Sequence, residues 1–388
     1  MRTMTRRQFF QESAGLLLGA SLLKGISRFA SVQRTSSGTE LVIARNGTPG
    51  ELLNAAIEGA GGIGNVVKKG QKVVIKVNMS FNQPPSRAAT TNPELVERLV
   101  EMCKEAGASE VVVIDHTLEN GQMCMDTSEI KDAVTRAGGD IKVINSHGDY
   151  KTVDIPKGKN LRRTELSKEV LDADVFINVP IAKVHGSAVI SVSMKNLMGI
   201  VWDRGEFHTR GLNQCMADLS SLVKPDLIIL DAYRILMSNG PRGPGKVKEA
   251  GEVVVGVDPV AIDRYGCELL EQDIDDVGYV RAGYELGLGE MDLDRVHMVY
   301  VDAQKKGKEG KKVETGEVAL SDQEASPSEG ELEEKDKGAV EEPLLEQEEK
   351  GEEIVEEENE AGIPAILLIP AIIVSILIGL RMRRQNVK

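Results

Sequence analysis

Short valine- and isoleucine-rich runs alternate with longer amphipathic segments along the middle of the chain. Lys72–Val77, Glu110–Ile114 and Val175–Val179 are three such runs, and they are typical of strands that are covered on both faces. Asn92 and Pro93 stand where a helix between two of these runs needs its cap and its first residue. The alternation predicts an α/β domain with a mainly parallel sheet and helices on both of its faces.

The two ends of the chain follow different patterns. Residues 5–11 contain paired arginines ahead of the weakly apolar run Ala14–Leu23, the arrangement of a twin-arginine export signal. Residues 364–380 are almost all apolar and would extend about 26 Å as a helix, enough for the core of a bilayer. The basic residues that follow favour a cytoplasmic tail. These ends predict export by the twin-arginine translocase and a single C-terminal anchor in the cytoplasmic membrane, with the main domain on the extracytoplasmic side.

Charge is distributed unevenly along the chain. The formal net charge is −14, but residues 313–360 hold 20 acidic side chains and three lysines. The remainder is therefore close to neutral, which argues against a nucleic-acid partner. The acidic segment predicts a disordered, self-repelling spacer.

These patterns divide the chain into five segments. They are a signal and linker (1–37), an α/β domain (38–303), an acidic spacer (304–362), a transmembrane helix (363–381) and a basic tail (382–388). The four cysteines include no Cys-x-x-Cys pair, so an iron–sulfur cluster of the ferredoxin type has no ligands here. No particular cofactor is indicated.

Polar residues follow several of the predicted strands. Lys76 and Asn78 stand at the end of one, while Asp231 and Asp258 each follow another. Ligands of open α/β sheets bind beyond the carboxyl ends of strands, so these residues predict a site at that edge. Lys76 and Asn78 would bind a ligand or cofactor, and Asp231 and Asp258 would bind a metal or orient other groups. Asp258 before Pro259 also fits a helix cap.

The densest polar stretch contains Lys183, His185, Lys195 and Asn196. A lysine at the end of an apolar strand calls for an anion or a carboxylate beside it, so Lys183 and Asn196 are predicted to bind a small anionic ligand. His185, Lys195 and the more distant His208 are predicted to act as acid, base or metal-binding groups. Solvated lysines on an exposed edge are the alternative.

A glycine- and proline-rich loop follows the Asp231 region. Its backbone N–H groups at Gly240 and Gly243 could form an anion nest. The spacing of its glycines is neither that of a Walker motif nor that of a dinucleotide-binding motif.

These motifs, in this order, resemble the family known as domain of unknown function 362. The matching residues are Lys76-Val77-Asn78, Thr91-Asn92-Pro93, Asp115, Lys183-Val184-His185, Lys195-Asn196-Leu197-Met198-Gly199, His208, Lys224-Pro225-Asp226, Asp231, Gly240-Pro241 and Asp258-Pro259-Val260-Ala261-Ile262-Asp263. The resemblance spans roughly residues 70–272. Many members of the family carry an iron–sulfur domain, which this chain lacks, and the family's chemistry is not settled. A fainter similarity is to the nickel-pincer lactate racemases, in which a histidine and a lysine ten residues apart serve the cofactor site, as His185 and Lys195 are spaced here.

Three functions remain open at this point. One is an enzyme-like site for an anionic ligand or cofactor at the strand ends. The others are a non-catalytic binding or scaffold module on an acidic stalk, and a redox-associated protein without its own iron–sulfur domain. Convergence of the polar side chains on one site would favour the first.

Overall fold

The computed structural model describes residues 39–305 of the 388-residue chain. The strands are β1 (Thr39–Arg45), β2 (Lys72–Lys76), β3 (Glu110–Asp115), β4 (Asp140–Val143), β5 (Tyr150–Asp154), β6 (Arg163–Ser167), β7 (Val175–Asn178), β8 (Ile181–His185), β9 (Val189–Ser191), β10 (Leu227–Leu236), β11 (Val247–Gly256) and β12 (Val296–Asp302). The α-helices are α1 (Pro49–Gly59), α2 (Pro93–Glu105), α3 (Gly121–Thr127), α4 (Ile130–Arg136), α5 (Lys168–Asp172), α6 (Ser193–Asn196), α7 (Gly205–Arg210), α8 (Leu212–Leu222), α9 (Pro259–Leu269) and α10 (Gly278–Glu285). Short 3-10 helices occupy Ile63–Asn65, Pro85–Arg87, His147–Asp149, Leu197–Ile200, Ile274–Asp276 and Leu293–Arg295.

The central sheet is mainly parallel, as the sequence predicts. Its strands lie in the order β12-β1-β11-β10-β7-β2-β3-β4, and β8 and β9 extend it beside β10. Along the main path, β11 alone of the described strands is antiparallel to its neighbours β1 and β10. The hairpin β5-β6 forms a separate two-stranded sheet. The predicted α/β class is therefore confirmed, with one reversed strand in the sheet.

Alternate residues of the strands belong to two different cores. Val73 and Ile75 of β2 pack with Leu95 of α2 in one core. Val74, between them, belongs to a second core that includes Leu219 of α8. Because successive side chains of a strand point to opposite faces, the sheet is covered by helices on both sides.

The start of α2 forms as its sequence predicts. The Asn92 side chain accepts a hydrogen bond from the Glu94 backbone N–H at 3.1 Å, and Pro93 is the first helical residue. The cap satisfies one of the N–H groups that have no partner within the helix. It fixes the place where the chain turns back after the loop that follows β2.

The predicted terminal segments lie almost entirely outside the described residues. These are the signal and linker (1–37), the transmembrane helix (363–381), the basic tail (382–388) and nearly all of the spacer (304–362). Within residues 39–305, no helix is both long enough and apolar enough to cross a bilayer. All four cysteines lie in this range, and each is free and buried.

Candidate functional site

A buried ion pair lies where β2 and β3 end side by side. Lys76 Nζ is 2.9 Å from Asp115 Oδ1, and the two side chains are 1% and 0% exposed. Asp115 Oδ2 also accepts hydrogen bonds from Met79 N at 2.8 Å and from the Ser80 hydroxyl at 3.2 Å. Burial lowers the pKa of Lys76, and the neighbouring Asp115 carboxylate opposes this effect. The carboxylate is thus held both by its lysine and by the loop after β2.

Gly199 covers this ion pair directly. A Cβ atom on Gly199 would lie 2.3 Å from Asp115 Oδ1 and 2.5 Å from Lys76 Cε. Both distances are shorter than any normal contact. The 3-10 helix Leu197–Ile200 therefore approaches the pair as closely as it does because residue 199 has no side chain.

Three asparagines continue the hydrogen-bond network from the ion pair. Asn196 Oδ1 accepts from Lys76 Nζ and from Asn78 Nδ2, each at 3.0 Å. Asn196 Nδ2 donates to Asn178 Oδ1 at 2.8 Å. The amide orientations follow from this pattern of donors and acceptors. Asn196 is thereby fixed from the ends of two strands, β2 and β7, in keeping with a role in positioning its neighbours.

Lys183 enters the same network from β8. Its Nζ donates to Asn78 Oδ1 at 3.0 Å and to Ala89 O at 2.5 Å, and lies 5.1 Å from the centroid of the Phe81 ring. Burial, and then the charge of Lys195, lower the pKa of Lys183 to about 7. Asp115 acts in the opposite direction. Lys183 therefore lies beside Asn78, in the network that contains Lys76, and its amine already has acceptors.

Lys195 is different, because its amine has no partner of this kind. It belongs to α6, whose first N–H groups, those of Ser193 and Met194, donate to the buried carboxylate of Asp263. Within residues 39–305, Lys195 Nζ makes no hydrogen bond or ion pair, whereas Lys76 and Lys183 each make several polar contacts. Its side chain is partly buried. Burial, and then the charges of Arg204 and Lys76, lower its pKa to about 8.

Arg204 adds a fourth cation. Its guanidinium donates to His116 O and Thr117 O, each at 3.2 Å. Burial lowers its pKa while the charge of Asp115 raises it, but an arginine stays charged at neutral pH. Beside it, Trp202 stacks on the His116 ring with 5.6 Å between centroids. The backbone that binds Arg204 is thus supported by aromatic packing.

We call these residues the strand-end cluster. Its members are Lys76, Asn78, Asp115, Lys183, Lys195, Asn196 and Arg204. It contains four cationic groups, and Asp115 is the carboxylate whose charge acts on Lys76, Lys183 and Arg204. Since that carboxylate is already bonded to Lys76, the cluster has an excess of positive charge in a partly desolvated place.

His185 lies beside the cluster as a neutral imidazole. Its Nδ1 accepts from Ser187 N at 3.2 Å and from Ala188 N at 3.3 Å, so the ring proton is assigned to Nε2. Burial, followed by the charges of Lys195, Lys183 and His208, lowers its pKa to about 3. His185 can donate a hydrogen bond from Nε2, but it is poorly suited to accept a proton near neutral pH.

His208 lies close enough to His185 to affect its pKa, although it is exposed on α7. No described hydrogen bond ties its ring to the cluster. The structure therefore places it beside His185 and at the solvent boundary, not among the buried cations.

Asp231 and Asp258 do not come together. Asp231 accepts from Asn92 N at 2.7 Å and from Tyr233 N at 3.2 Å, and burial raises its pKa to about 6. Asp258 caps α9 through Val260 N and Ala261 N, each at 2.9 Å. Grouping them in one site assumed that the preceding strands run in the same direction. Val253 of β11 lies opposite Asp231. Because β11 is antiparallel to β10, the chain runs from Val253 away from the strand-end cluster before it reaches Asp258.

The described residues contain no group of three or more His, Cys, Asp or Glu side chains arranged to hold a metal ion. The carboxylates of Asp231 and Asp258 are both bonded to backbone N–H groups at helix starts or turns. Their oxygen atoms thus have backbone partners, and the strand-end cluster does not include them.

The glycine-rich loop packs against β8. A Cβ atom on Gly240 would lie 1.8 Å from Val184 O, so this contact requires glycine. Gly243 has a φ of +75° and its N–H donates to Asn239 O at 2.9 Å. Arg242 joins the loop to Glu119 at 2.5 Å. The loop lies next to the strand that carries Lys183, but the Gly243 N–H is not free for an anion.

Sequence reasoning assigned no role to Asn178 or Arg204, and it singled out Asp115 only as a polar residue at a strand end and as one of the residues that carry the family resemblance. Asp115 gave a signal, since it ends a strand beside the one that carries Lys76. Arg204 gave none, because it stands in a polar loop whose approach to the sheet depends on the packing of Trp202.

Comparison with known proteins identifies a family domain in the part of the chain that contains these residues. The model of the family described as "Domain of unknown function (DUF362)" matches residues 73–268, a range that contains every member of the strand-end cluster. The chain is also similar to the thylakoid-associated protein sll1697 of Synechocystis sp., with 28% identity over 245 residues, which are 61% of this chain and 74% of that protein. With the family model matching just over half of its residues, the chain belongs to the DUF362 family.

Proposed function

We propose that the strand-end cluster binds a small anionic ligand, a carboxylate or a phosphate, as the substrate or cofactor of an enzyme-like site. The observation that carries the proposal is Lys195. Its amine is partly buried, faces other cations and has no acceptor among the described residues. Retaining a charged amine in such a place is unfavourable unless an anion joins it.

The neighbouring groups fit this role. Arg204 supplies a planar donor whose charge is permanent. His185 supplies a neutral N–H donor beside Lys195 and Lys183. The asparagine network holds Asn196, the next residue after Lys195, in place. Charge-assisted hydrogen bonds to a bound anion would therefore form with little rearrangement of the backbone.

Binding of inorganic phosphate and of malonate to the full-length chain tests this proposal. Titration calorimetry should give a saturable signal that weakens with added salt, because the charges are partly accessible to solvent. Lys195→Met preserves the apolar stem and removes the charge, and we expect it to raise the Kd at least tenfold, about 1.4 kcal/mol.

Lys224→Met is the matched control. Lys224 is exposed and precedes the amino end of β10, so its removal should change the Kd by less than twofold. Absence of binding for both anions, or an equal Kd for Lys195→Met and the unsubstituted chain, would remove the anion site.

We also propose that the α/β domain is tethered to the extracytoplasmic face of the cytoplasmic membrane. Two findings support this: the apolar run 364–380 with its basic flank, and the similarity to a protein named as thylakoid-associated. The paired arginines Arg6 and Arg7 would direct export through the twin-arginine translocase.

Membrane fractionation tests the tether. The full chain should stay in the pellet after alkaline carbonate extraction, whereas a chain ending at Gly362 should appear in the soluble fraction. Lys substitutions at both Arg6 and Arg7 should leave the protein inside, protected from protease added to the outer side. Extraction of the full chain by carbonate, or normal export of the double substitution, would contradict the respective part of the proposal.

A further inference from the structure

We propose that Lys195 forms an imine with the carbonyl carbon of a small anionic aldehyde or 2-oxo acid held in the strand-end cluster. This inference rests on the proposed anion site and names the class of its ligand. It also states which of the three lysine amines in the strand-end cluster forms a covalent bond.

The three lysines of the cluster differ in what their amines already contact. Lys76 Nζ contacts Asp115, Asn196 and the Val77 carbonyl oxygen. Lys183 Nζ donates to Asn78 and Ala89. Lys195 Nζ has no such contact within residues 39–305. It is thus the amine that can approach a ligand atom without breaking an existing hydrogen bond.

The backbone that carries Lys195 is held on both sides. Asp263 binds the N–H groups of Ser193 and Met194, and Asn196 is fixed by Lys76 and Asn178. A short segment anchored in this way keeps the Lys195 Cα in place while its side chain remains free at the tip. This combination suits a nucleophile that must meet a bound ligand in a defined orientation.

The surroundings of Lys195 also favour the reactive form of its amine. Only the neutral amine attacks a carbonyl carbon, and nearby cations together with desolvation increase its population. Arg204 and Lys76 are such cations, and they assist burial in lowering the pKa of Lys195 to about 8. The same positive charges attract the anionic group of the ligand, so one arrangement serves binding and activation.

The proposed step is balanced without an oxidant or a reductant. The Lys195 nitrogen attacks the carbonyl carbon and a C–N bond forms, giving a carbinolamine. The C–O bond then breaks, and the former carbonyl oxygen leaves as water with the two hydrogens that the neutral amine carried. We assign the hydrogen bond to that oxygen, while it bears negative charge, to the Nε2–H of His185, a ring near enough to Lys195 for the charge of the lysine to lower its pKa.

Pyridoxal 5′-phosphate and pyridoxal are matched probes for this step, because both carry an aldehyde and only the first carries a phosphate. The full-length chain is incubated with each, reduced with borohydride and mapped by peptide mass spectrometry. We expect a reduced adduct on Lys195 with the phosphorylated probe, at least tenfold less with pyridoxal, and loss of the adduct on addition of inorganic phosphate. Exposed Lys224 serves as the internal reference, since it should label equally with both probes.

Lys195→Arg separates the amine from its charge. It retains a cation of similar length, and its guanidinium does not condense with aldehydes under these conditions. We expect the amount of adduct to fall by a factor at least ten times larger than the factor by which the phosphate Kd changes. A cooperative unfolding transition shows that the variant is folded.

Two results would overturn the inference, and they differ in what they leave standing. Saturable phosphate binding, with no more adduct on Lys195 than on Lys224, would reject the imine and keep the anion site. Absence of binding for phosphate and for the phosphorylated probe would reject both.

Discussion

Replacing Asp115 with asparagine is expected to lower the free energy of unfolding by about 3–5 kcal/mol, the range for breaking a buried ion pair. The substitution keeps the size of the side chain but removes the charge that faces Lys76 Nζ at 2.9 Å. Lys76 is then left with a buried ammonium group, or loses its proton at neutral pH. Urea denaturation of the full-length chain, monitored by circular dichroism, measures the change in the free energy of unfolding.

Asp154→Asn is the control for this prediction. Asp154 also pairs with a cation, Arg163 at 2.7 Å, but both side chains are 68% exposed. Water screens exposed pairs of this kind, so they contribute little to stability, and the control should leave the urea midpoint almost unchanged. A comparable loss for the two substitutions would show that burial does not distinguish them.

A double substitution tests whether the loss of stability arises from the interaction between Lys76 and Asp115. Lys76→Met removes the unpaired charge that Asp115→Asn leaves, so the two together should be less destabilising than the sum of the single changes by about 1–3 kcal/mol. Strict additivity would mean that the two groups do not interact in the folded protein. Because a buried pair is often no more stabilising than apolar residues of the same volume, stability alone does not explain its presence, and the proposed anion site gives it a role.

The sequence predicts the parts of this fold that depend on local patterns. Valine-rich runs identified β2, β3 and β7, and the Asn92-Pro93 pair placed the start of α2 at the residue where the structure has it. Each of these features depends on neighbours a few positions away. The prediction that Lys76 and Lys183 share a site has a similar local basis, since each is a lysine near the end of an apolar run.

The remainder of the site depends on distant contacts that a local pattern does not contain. The reversed direction of β11 separates Asp258 from Asp231 and follows from its pairing with both β1 and β10. Asp263 lies within a helix, and its contact with Ser193 joins residues 70 positions apart. His185 carries a sequence signal for acid–base chemistry, yet two backbone N–H groups occupy its Nδ1.

Gly199→Ala is expected to destabilise the protein by about 3 kcal/mol or more, through overpacking and disturbance of the ion pair together. Gly199 lies in a 3-10 helix and its φ is not in the left-handed region, so alanine can adopt its backbone conformation. The added methyl group, however, would be 2.3 Å from Asp115 Oδ1 and 2.7 Å from Lys76 Nζ. Buried groups of the β2 and β3 ends must therefore move.

Gly64→Ala provides the matched comparison, because Gly64 also lies in a 3-10 helix and a Cβ atom there would meet nothing within 4 Å. We expect it to change the free energy of unfolding by less than about 0.5 kcal/mol. The alanine at position 199 should also weaken phosphate binding, since Lys76 and Asn196 share a hydrogen bond and Asn196 adjoins Lys195. If Gly199→Ala unfolds at the same urea concentration as Gly64→Ala, then the 3-10 helix Leu197–Ile200 cannot cover the Lys76–Asp115 pair at such short range. In that case the argument that Asn196 is held in place, and with it the backbone of Lys195, would lose its structural basis.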